Sequence, residues 1–368
     1  MKVFVDIIHP ANVHYFKNFI KEMQRAGHKV YITARNKDVT LKLLEAYGMK
    51  YFNMGKGRIG RGSFGKLLYL IYAELLTFFY FLRIRPNCVI SFASIPAAHN
   101  CFLFRIPHIS FDDTEHNRIN RLLYKPFTAV IFTPQCFLDD LGPKQIRFPG
   151  YMELFYLHPS VFTPDPSIVR HLGVNPGEKY VVVRFVSWDA FHDIGQHGFD
   201  YESKIKLVRA LVPHVKVFIS AEGDLPPELE QYRILISPEK MHDVLAYATL
   251  FIGEGATMAS ECAALGVPAI YVNSLELGYL KEQERKYGLV FNYRTSEGIT
   301  EKALELVKEV DDGASWKNKQ KNLLREMIDP TRFLVWFVQD YPYSLERLRS
   351  TPDVFRNFDN QCEAGYEE

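Results

Sequence analysis

Leu250-Phe-Ile-Gly-Glu-Gly-Ala-Thr-Met-Ala-Ser-Glu261, running on into Cys262-Ala-Ala-Leu-Gly-Val-Pro-Ala-Ile270, decides how this chain is read. The apolar run Leu250 to Ile252 predicts a buried strand that breaks at Gly253-Glu254-Gly255. Met258 to Leu265 has a helical composition, Gly266 stands where a helix C-cap belongs, and Pro268 forbids continuation. Ala269 to Val272 reads as the next strand. A strand that ends in a glycine turn and feeds a helix presents unpaired backbone N–H groups and the positive end of a helix dipole. Gly255, Ala256, Thr257 and Met258 are therefore candidates to hold a diphosphate, and Glu261 to accept hydrogen bonds from sugar hydroxyls. The competing reading is an ordinary strand–helix link. Glu254 should stand away from any phosphate, since two negative groups in contact repel.

Working outward, the N-terminal half repeats the pattern. Lys2 to Ile8 is a strand, and His9-Pro-Ala-Asn12 a turn. Val13 to Arg25 is an amphipathic helix with Phe16, Phe19, Ile20 and Met23 at helical spacing, and Lys29 to Thr33 is a second strand. Open α/β sheets bind ligands at the C-terminal ends of their strands, which makes His14, just past the first, a candidate; a solvated or capping histidine is the alternative. No G-x-G-x-x-G follows the first strand, so the sequence does not support a nicotinamide or flavin dinucleotide. Pro86 to Ser91 and Pro107 to Phe111 are further strands, and Ala129 to Thr133 is expected to close the sheet. Asp112-Asp113-Thr-Glu115-His116 follows a strand directly, and Asp113, Glu115 and His116 are candidates for proton transfer. A solvated, helix-capping turn is the competing reading.

Residues 151 to 178 carry Pro159, Pro164, Pro166 and Pro176 and mark a domain boundary. The expected division is 1–155, 156–335 and a helical tail 336–368. Tyr180 to Phe185 restarts the strand pattern. Arg184 at its end can counter a phosphate, and Trp188, Asp189 and His192 follow, with Asp193 beside them. Val215 to Ser220 is another strand, with Glu222 just beyond it. Arg233 to Ser237 reads as a short strand and Pro238 to Ala248 as a helix. No HExxH or paired-histidine spacing occurs, so no metal is expected.

The 368 residues suffice for two domains, and 47% hydrophobic content fills their cores. A net charge of +1 gives no pull toward nucleic acid. Five cysteines without CxxC spacing, and a strand at the very start, point to a reducing, cytoplasmic setting. Leu67 to Leu82 is almost wholly apolar. As a helix it spans about 24 Å, short of the roughly 20 residues a bilayer needs. Two readings stay open: a helix packed on the sheet, which is preferred, or a peripheral contact of residues 56–85 with the inner face of an anionic membrane. The second draws on the flanking Lys56, Arg58, Arg61, Lys66, Arg83 and Arg85.

Taken together, His9-Pro-Ala-Asn-Val-His14, Asp113-Thr-Glu-His116, Arg184-Phe-Val-Ser-Trp-Asp-Ala-Phe-His-Asp193 and Gly253 to Glu261 resemble the DUF354 family of predicted GT-B proteins. That family is distantly similar to the non-hydrolysing UDP-N-acetylglucosamine 2-epimerases and to MurG-type glycosyltransferases. The resemblance implies an α/β chain of two Rossmann-like βα domains whose parallel sheets face each other across a cleft. It implies a nucleotide-sugar donor, with UDP as the nucleotide, and no further cofactor or metal. It places Glu254-Gly255-Ala256-Thr257 and Glu261 where the epimerases hold UDP, and Asp113 and Glu115 near their catalytic carboxylates. Two departures stand out: Ser94 replaces an epimerase aspartate, and Arg184-Phe-Val-Ser replaces a His-Arg-Arg-Glu stretch. The leading expectation is a glycosyltransferase-like enzyme with an acceptor left open, lipid-linked among the options. Epimerase-type chemistry and a non-catalytic sugar-nucleotide binder are the alternatives.

Overall fold

The computed structural model describes residues 1–59, 62–175, 177–186, 198–309 and 313–359. These form two compact units, Met1–Tyr156 with Met327–Glu368, and Leu157–Glu326.

The first unit opens β1 (Lys2–Ile7), α1 (Pro10–Arg25), β2 (Lys29–Ala34), α2 (Thr40–Ala46), β3 (Phe52–Asn53) and α3 (Gly62–Ile84). It continues β4 (Cys88–Phe92), α4 (Ile95–Phe104), β5 (His108–Phe111), α5 (Arg118–Tyr124), β6 (Val130–Pro134) and β7 (Gln145–Phe148), and ends on the short α6 (Leu154–Leu157). All seven strands pair in parallel, in the order β3-β2-β1-β4-β5-β6-β7. The order reverses between β1 and β4. A parallel sheet covered on both faces needs near-continuous apolar strands, which is why β1 reads Val-Phe-Val-Asp-Ile rather than alternating. Phe4 packs with Phe81 and Ile84 of α3 and with Ala97 and Cys101 of α4. On the other side Phe16 of α1 meets Phe111 at 5.9 Å.

The second unit contains α7 (Ser167–His171), β8 (Tyr180–Phe185), α8 (Tyr201–Leu211), β9 (Lys216–Ala221), α9 (Met241–Ala246) and β10 (Leu250–Gly253). Then come α10 (Ala256–Leu265), β11 (Ala269–Val272), α11 (Gly278–Arg285), β12 (Val290–Tyr293), α12 (Ile299–Lys308) and α13 (Ala314–Arg325). Its parallel sheet runs β12-β11-β10-β8-β9, so the order reverses between β8 and β10. Gly253 lies opposite Arg184 in the register, and a Cβ there would meet Phe251 Cζ at 2.7 Å and Arg184 Cβ at 2.9 Å. The glycine is thus required by close approach. Gly266 closes α10 in the left-handed conformation at φ 70°.

The structure differs from the sequence reading in four places. The chain returns to the first unit at Met327, so the expected third segment starting at 336 is not separate. α14 (Pro330–Gln339) and α15 (Tyr343–Ser350) belong there. Phe333 and Phe337 of α14 stand edge-on to Phe132 of β6 at 5.2 and 4.8 Å, and Thr331 donates to the Phe155 carbonyl at 2.9 Å. Second, β6 does not close the sheet, because β7 pairs outside it. Third, residues 234–237 form no strand: Arg233 makes a single bridge to Ile219, and Pro238 follows at once. Fourth, the helix expected over residues 67–82 packs on the sheet through Phe81 and Ile84, as preferred, but it is longer than the apolar run, extending over Gly62–Ile84. α3 buries one stripe, Tyr69, Ala73, Thr77, Phe81 and Ile84, and leaves the opposite stripe exposed.

Candidate functional sites of the two units

In the second unit the site builds on the strand reversal between β8 and β10, the place where open α/β sheets leave a crevice at their strand ends. β10 ends at Gly253, and Gly255 serves as the N-cap of α10 with no side chain capping it. Gly255, Ala256, Thr257 and Met258 are all half-buried. Their first-turn amides and the helix dipole point out of the strand edge, the arrangement that favours an anion.

Three side chains frame this turn. Arg184, at the end of β8, donates to Ser220 Oγ at 2.6 Å and to Glu222 Oε1 at 2.6 Å. Both charged residues singled out here thus come together, but as a pair with each other. Glu261 lies one and a half turns into α10, buried, with Oε1 3.0 Å from Nε2 of His242 on α9. Glu254 is buried, and its two carboxylate oxygens accept backbone N–H groups, Oε2 from Val186 at 3.0 Å and Oε1 from Phe199 at 2.7 Å. It therefore anchors the chain on either side of residues 187–197. Trp188, Asp189, His192 and Asp193 lie outside the described residues.

In the first unit the acid cluster forms at the end of β5. Asp112 is fully buried, accepting from Tyr124 Oη at 2.6 Å and from the Thr114 N–H at 3.0 Å. Asp113 accepts from Thr114 Oγ1 at 2.9 Å. Arg121 binds Asp139 at 2.7 Å and donates to the backbone carbonyl of Glu115. Glu115 is buried and accepts the Leu138 N–H at 3.3 Å, whereas His116 is exposed. Burial pushes the Asp113 carboxyl up to about 7, helped by the neighbouring charges of Asp112 and Glu115 and opposed by the Thr114 hydroxyl. Burial likewise raises Asp112 to about 6, against the bonds from Tyr124 and Thr114. A carboxyl with such a value near neutrality can exchange protons in either direction.

His14 packs with aromatic rings of the same unit. It sits within α1, buried, with Nδ1 3.3 Å from Tyr47 Oη and its ring 5.2 Å from that of Tyr156.

Several participants were not singled out from sequence. At the reversal between β1 and β4, Asp6 accepts from Thr33 Oγ1 at 2.7 Å and from Ser94 Oγ at 2.5 Å. Burial raises its carboxyl, the two hydroxyls and Arg35 working against that. The signal was available: Asp6 is the one carboxylate in β1, flanked by apolar residues on both sides. Arg121, Tyr124 and His242 gave no comparable signal, since their partners lie on other elements. Among the described residues no group of three His, Cys, Asp or Glu side chains is arranged to hold a metal.

Comparisons with known proteins agree with this architecture. An uncharacterised protein of Methanocaldococcus jannaschii, MJ0665, is 27% identical over 306 residues, covering 77% of this chain and 86% of its own. The UDP-GlcNAc 2-epimerase of Neisseria meningitidis, solved with UDP-GlcNAc, superposes with a TM-score of 0.66 at 13% identity, covering 92% of this chain and all of its own (100%). The UDP-GlcNAc 2-epimerase of M. jannaschii gives 0.59 at 10% identity, covering 88% and 99%. The spinosyn rhamnosyltransferase SpnG, solved with spinosyn aglycone, gives 0.57 at 13% identity, covering 92% and 99%. At these identities the likeness to solved structures is one of fold, and that fold is the α/β GT-B type shared by these epimerases and glycosyltransferases. Residues 1–342 match the family described as protein of unknown function DUF354, and the chain belongs to that family.

Proposed function

We propose that the chain is a glycosyltransferase-like enzyme that binds a UDP-sugar on its second unit. The observation that carries this reading is the uncapped, half-buried first turn of α10 at the strand reversal beside Arg184. The diphosphate accepts hydrogen bonds from the amides of residues 256–258, and Glu261, oriented by His242, holds the ribose hydroxyls. Arg184 shares its charge between Glu222 and the phosphate. A base takes the proton of the acceptor hydroxyl, the acceptor oxygen attacks the anomeric carbon, and the nucleoside diphosphate leaves with the bonding electrons. We assign the base to Asp113, whose carboxyl titrates near 7. The helix dipole stabilises the departing diphosphate.

The solved epimerases of like fold support a second reading, UDP-sugar epimerisation, which differs in its products. The test is a thermal-shift screen over UDP-, GDP-, CMP- and dTDP-sugars, followed by product analysis. A UDP-sugar at about a hundred times its dissociation constant should add roughly 2.7 kcal/mol of stability, with no comparable gain from the other nucleotides. Free UDP with a new glycoside supports transfer. An epimerised sugar would replace this reading with the second, and binding without turnover would leave a sugar-nucleotide-binding protein.

A further inference from the structure

The first unit carries an apolar surface that its fold leaves uncovered. On α3, Phe64, Leu67, Ile71, Leu75, Phe79 and Leu82 recur at helical spacing along the face away from the sheet, and Phe79 is 63% exposed. Only 28% of the most apolar window of this helix is buried. The face does not stop at α3. α4 packs beside it and α5 beside α4, with His99 of α4 bonded to Glu74 of α3 at 2.8 Å and to the Leu123 carbonyl of α5 at 3.0 Å. α4 adds Phe102, 67% exposed, and Leu103; α5 adds Ile119 and Leu122, the latter 75% exposed. A patch spread over three neighbouring helices exceeds what a soluble surface ordinarily leaves to water.

The charged residues at the ends of these helices are basic. Lys56 and Arg58 precede α3, Arg83 and Arg85 end it, Arg105 caps α4, and Arg118 begins α5, each exposed. In residues 56–85, 95–105 and 118–127 the only carboxylate is Glu74. It is held between His99 and Asn100, whose Nδ2 donates to it at 3.0 Å. We propose that the exposed face of α3, α4 and α5 rests on an anionic lipid bilayer, with the aromatic and aliphatic side chains among the acyl chain ends and the arginines at the headgroups. The contact is peripheral. The opposite stripe of α3 is packed against Phe4 of the sheet, and Glu74 is tied to α4, so α3 cannot cross the bilayer while the sheet stays intact. This proposal is independent of the nucleotide reading, because its test requires no nucleotide.

The test is co-sedimentation of the full chain with phosphatidylcholine vesicles and with vesicles containing phosphatidylglycerol, at low and high salt. Binding should require phosphatidylglycerol and weaken as salt rises. The double variant Phe79→Glu, Leu122→Glu should bind at least about tenfold more weakly while keeping its circular dichroism and melting temperature, because both side chains are exposed. Arg83→Glu with Arg105→Glu should remove the preference for phosphatidylglycerol. Failure of the wild-type chain to bind anionic vesicles at low salt would overturn the proposal. So would equal binding by the Phe79, Leu122 variant, or a wild-type dimer in sedimentation velocity that this variant dissolves, since the face would then belong to a second copy.

Discussion

Glu254→Ala should destabilise the second unit by about 3–5 kcal/mol, one of the two largest effects expected of any single substitution in the chain. The reason is the accounting of buried polar groups. The carboxylate accepts N–H bonds from Val186 and Phe199, at 3.0 and 2.7 Å, in a site almost closed to water. Removing it strands two donors, each costing about 1–3 kcal/mol, and opens a cavity beside Gly253. Glu254→Gln keeps one good acceptor and should cost about half as much. Denaturant titration gives the totals, and amide exchange gives the location: protection should fall first at Val186 and Phe199. A loss below about 1 kcal/mol for the alanine variant, with those amides still protected, is incompatible with this role.

Asp113→Asn should lower turnover by about a hundredfold or more while leaving nucleotide affinity nearly unchanged, since it removes the proposed base and no binding group. The same substitution has a stability signature that requires no substrate. The carboxyl rises from its ordinary 3.8 to about 7 on folding, so between those values the folded chain holds a proton that the unfolded chain has released. Its contribution is therefore full below about pH 4 and is lost as pH rises through about 7, at about 1.4 kcal/mol per pH unit. Asp112, raised to about 6, adds a slope of the same sign that ends sooner. The asparagine variant should lose only the Asp113 part, which denaturant titrations at several pH values will separate. A pH profile of stability identical to wild type contradicts the buried carboxyl. A normal pH profile of turnover in the variant contradicts the base.

Local features were legible in the sequence and tertiary ones were not. The turn at 253–255, the C-cap at Gly266 and the strand at 269–272 follow from glycine, proline and apolar runs, whose effects are confined to a few neighbours. β7 escaped notice because Gln145 and Arg147 make half of it polar, as suits an edge strand that is paired on one side only. α14 straddles the boundary expected at 335/336 between the second domain and a helical tail. Its membership in the first unit is decided by rings of Phe132, Phe333 and Phe337 that are far apart in the chain. The His242–Glu261 and Asp6–Ser94 bonds are of the same kind, joining residues on different elements. The exposed stripe of α3 was visible as apolar composition, but only packing shows which side remains uncovered.

The first-turn amides of α10 and the Glu261–His242 pair are the groups assigned to UDP, so calorimetric titration of UDP into the wild-type chain and into Glu261→Ala tests the central claim most directly. One UDP per chain should bind, and the variant should bind it more weakly by about 1–3 kcal/mol, the cost of losing a buried carboxylate acceptor. Equal affinity in the two proteins, or no UDP binding by the wild type at millimolar concentration, would contradict it.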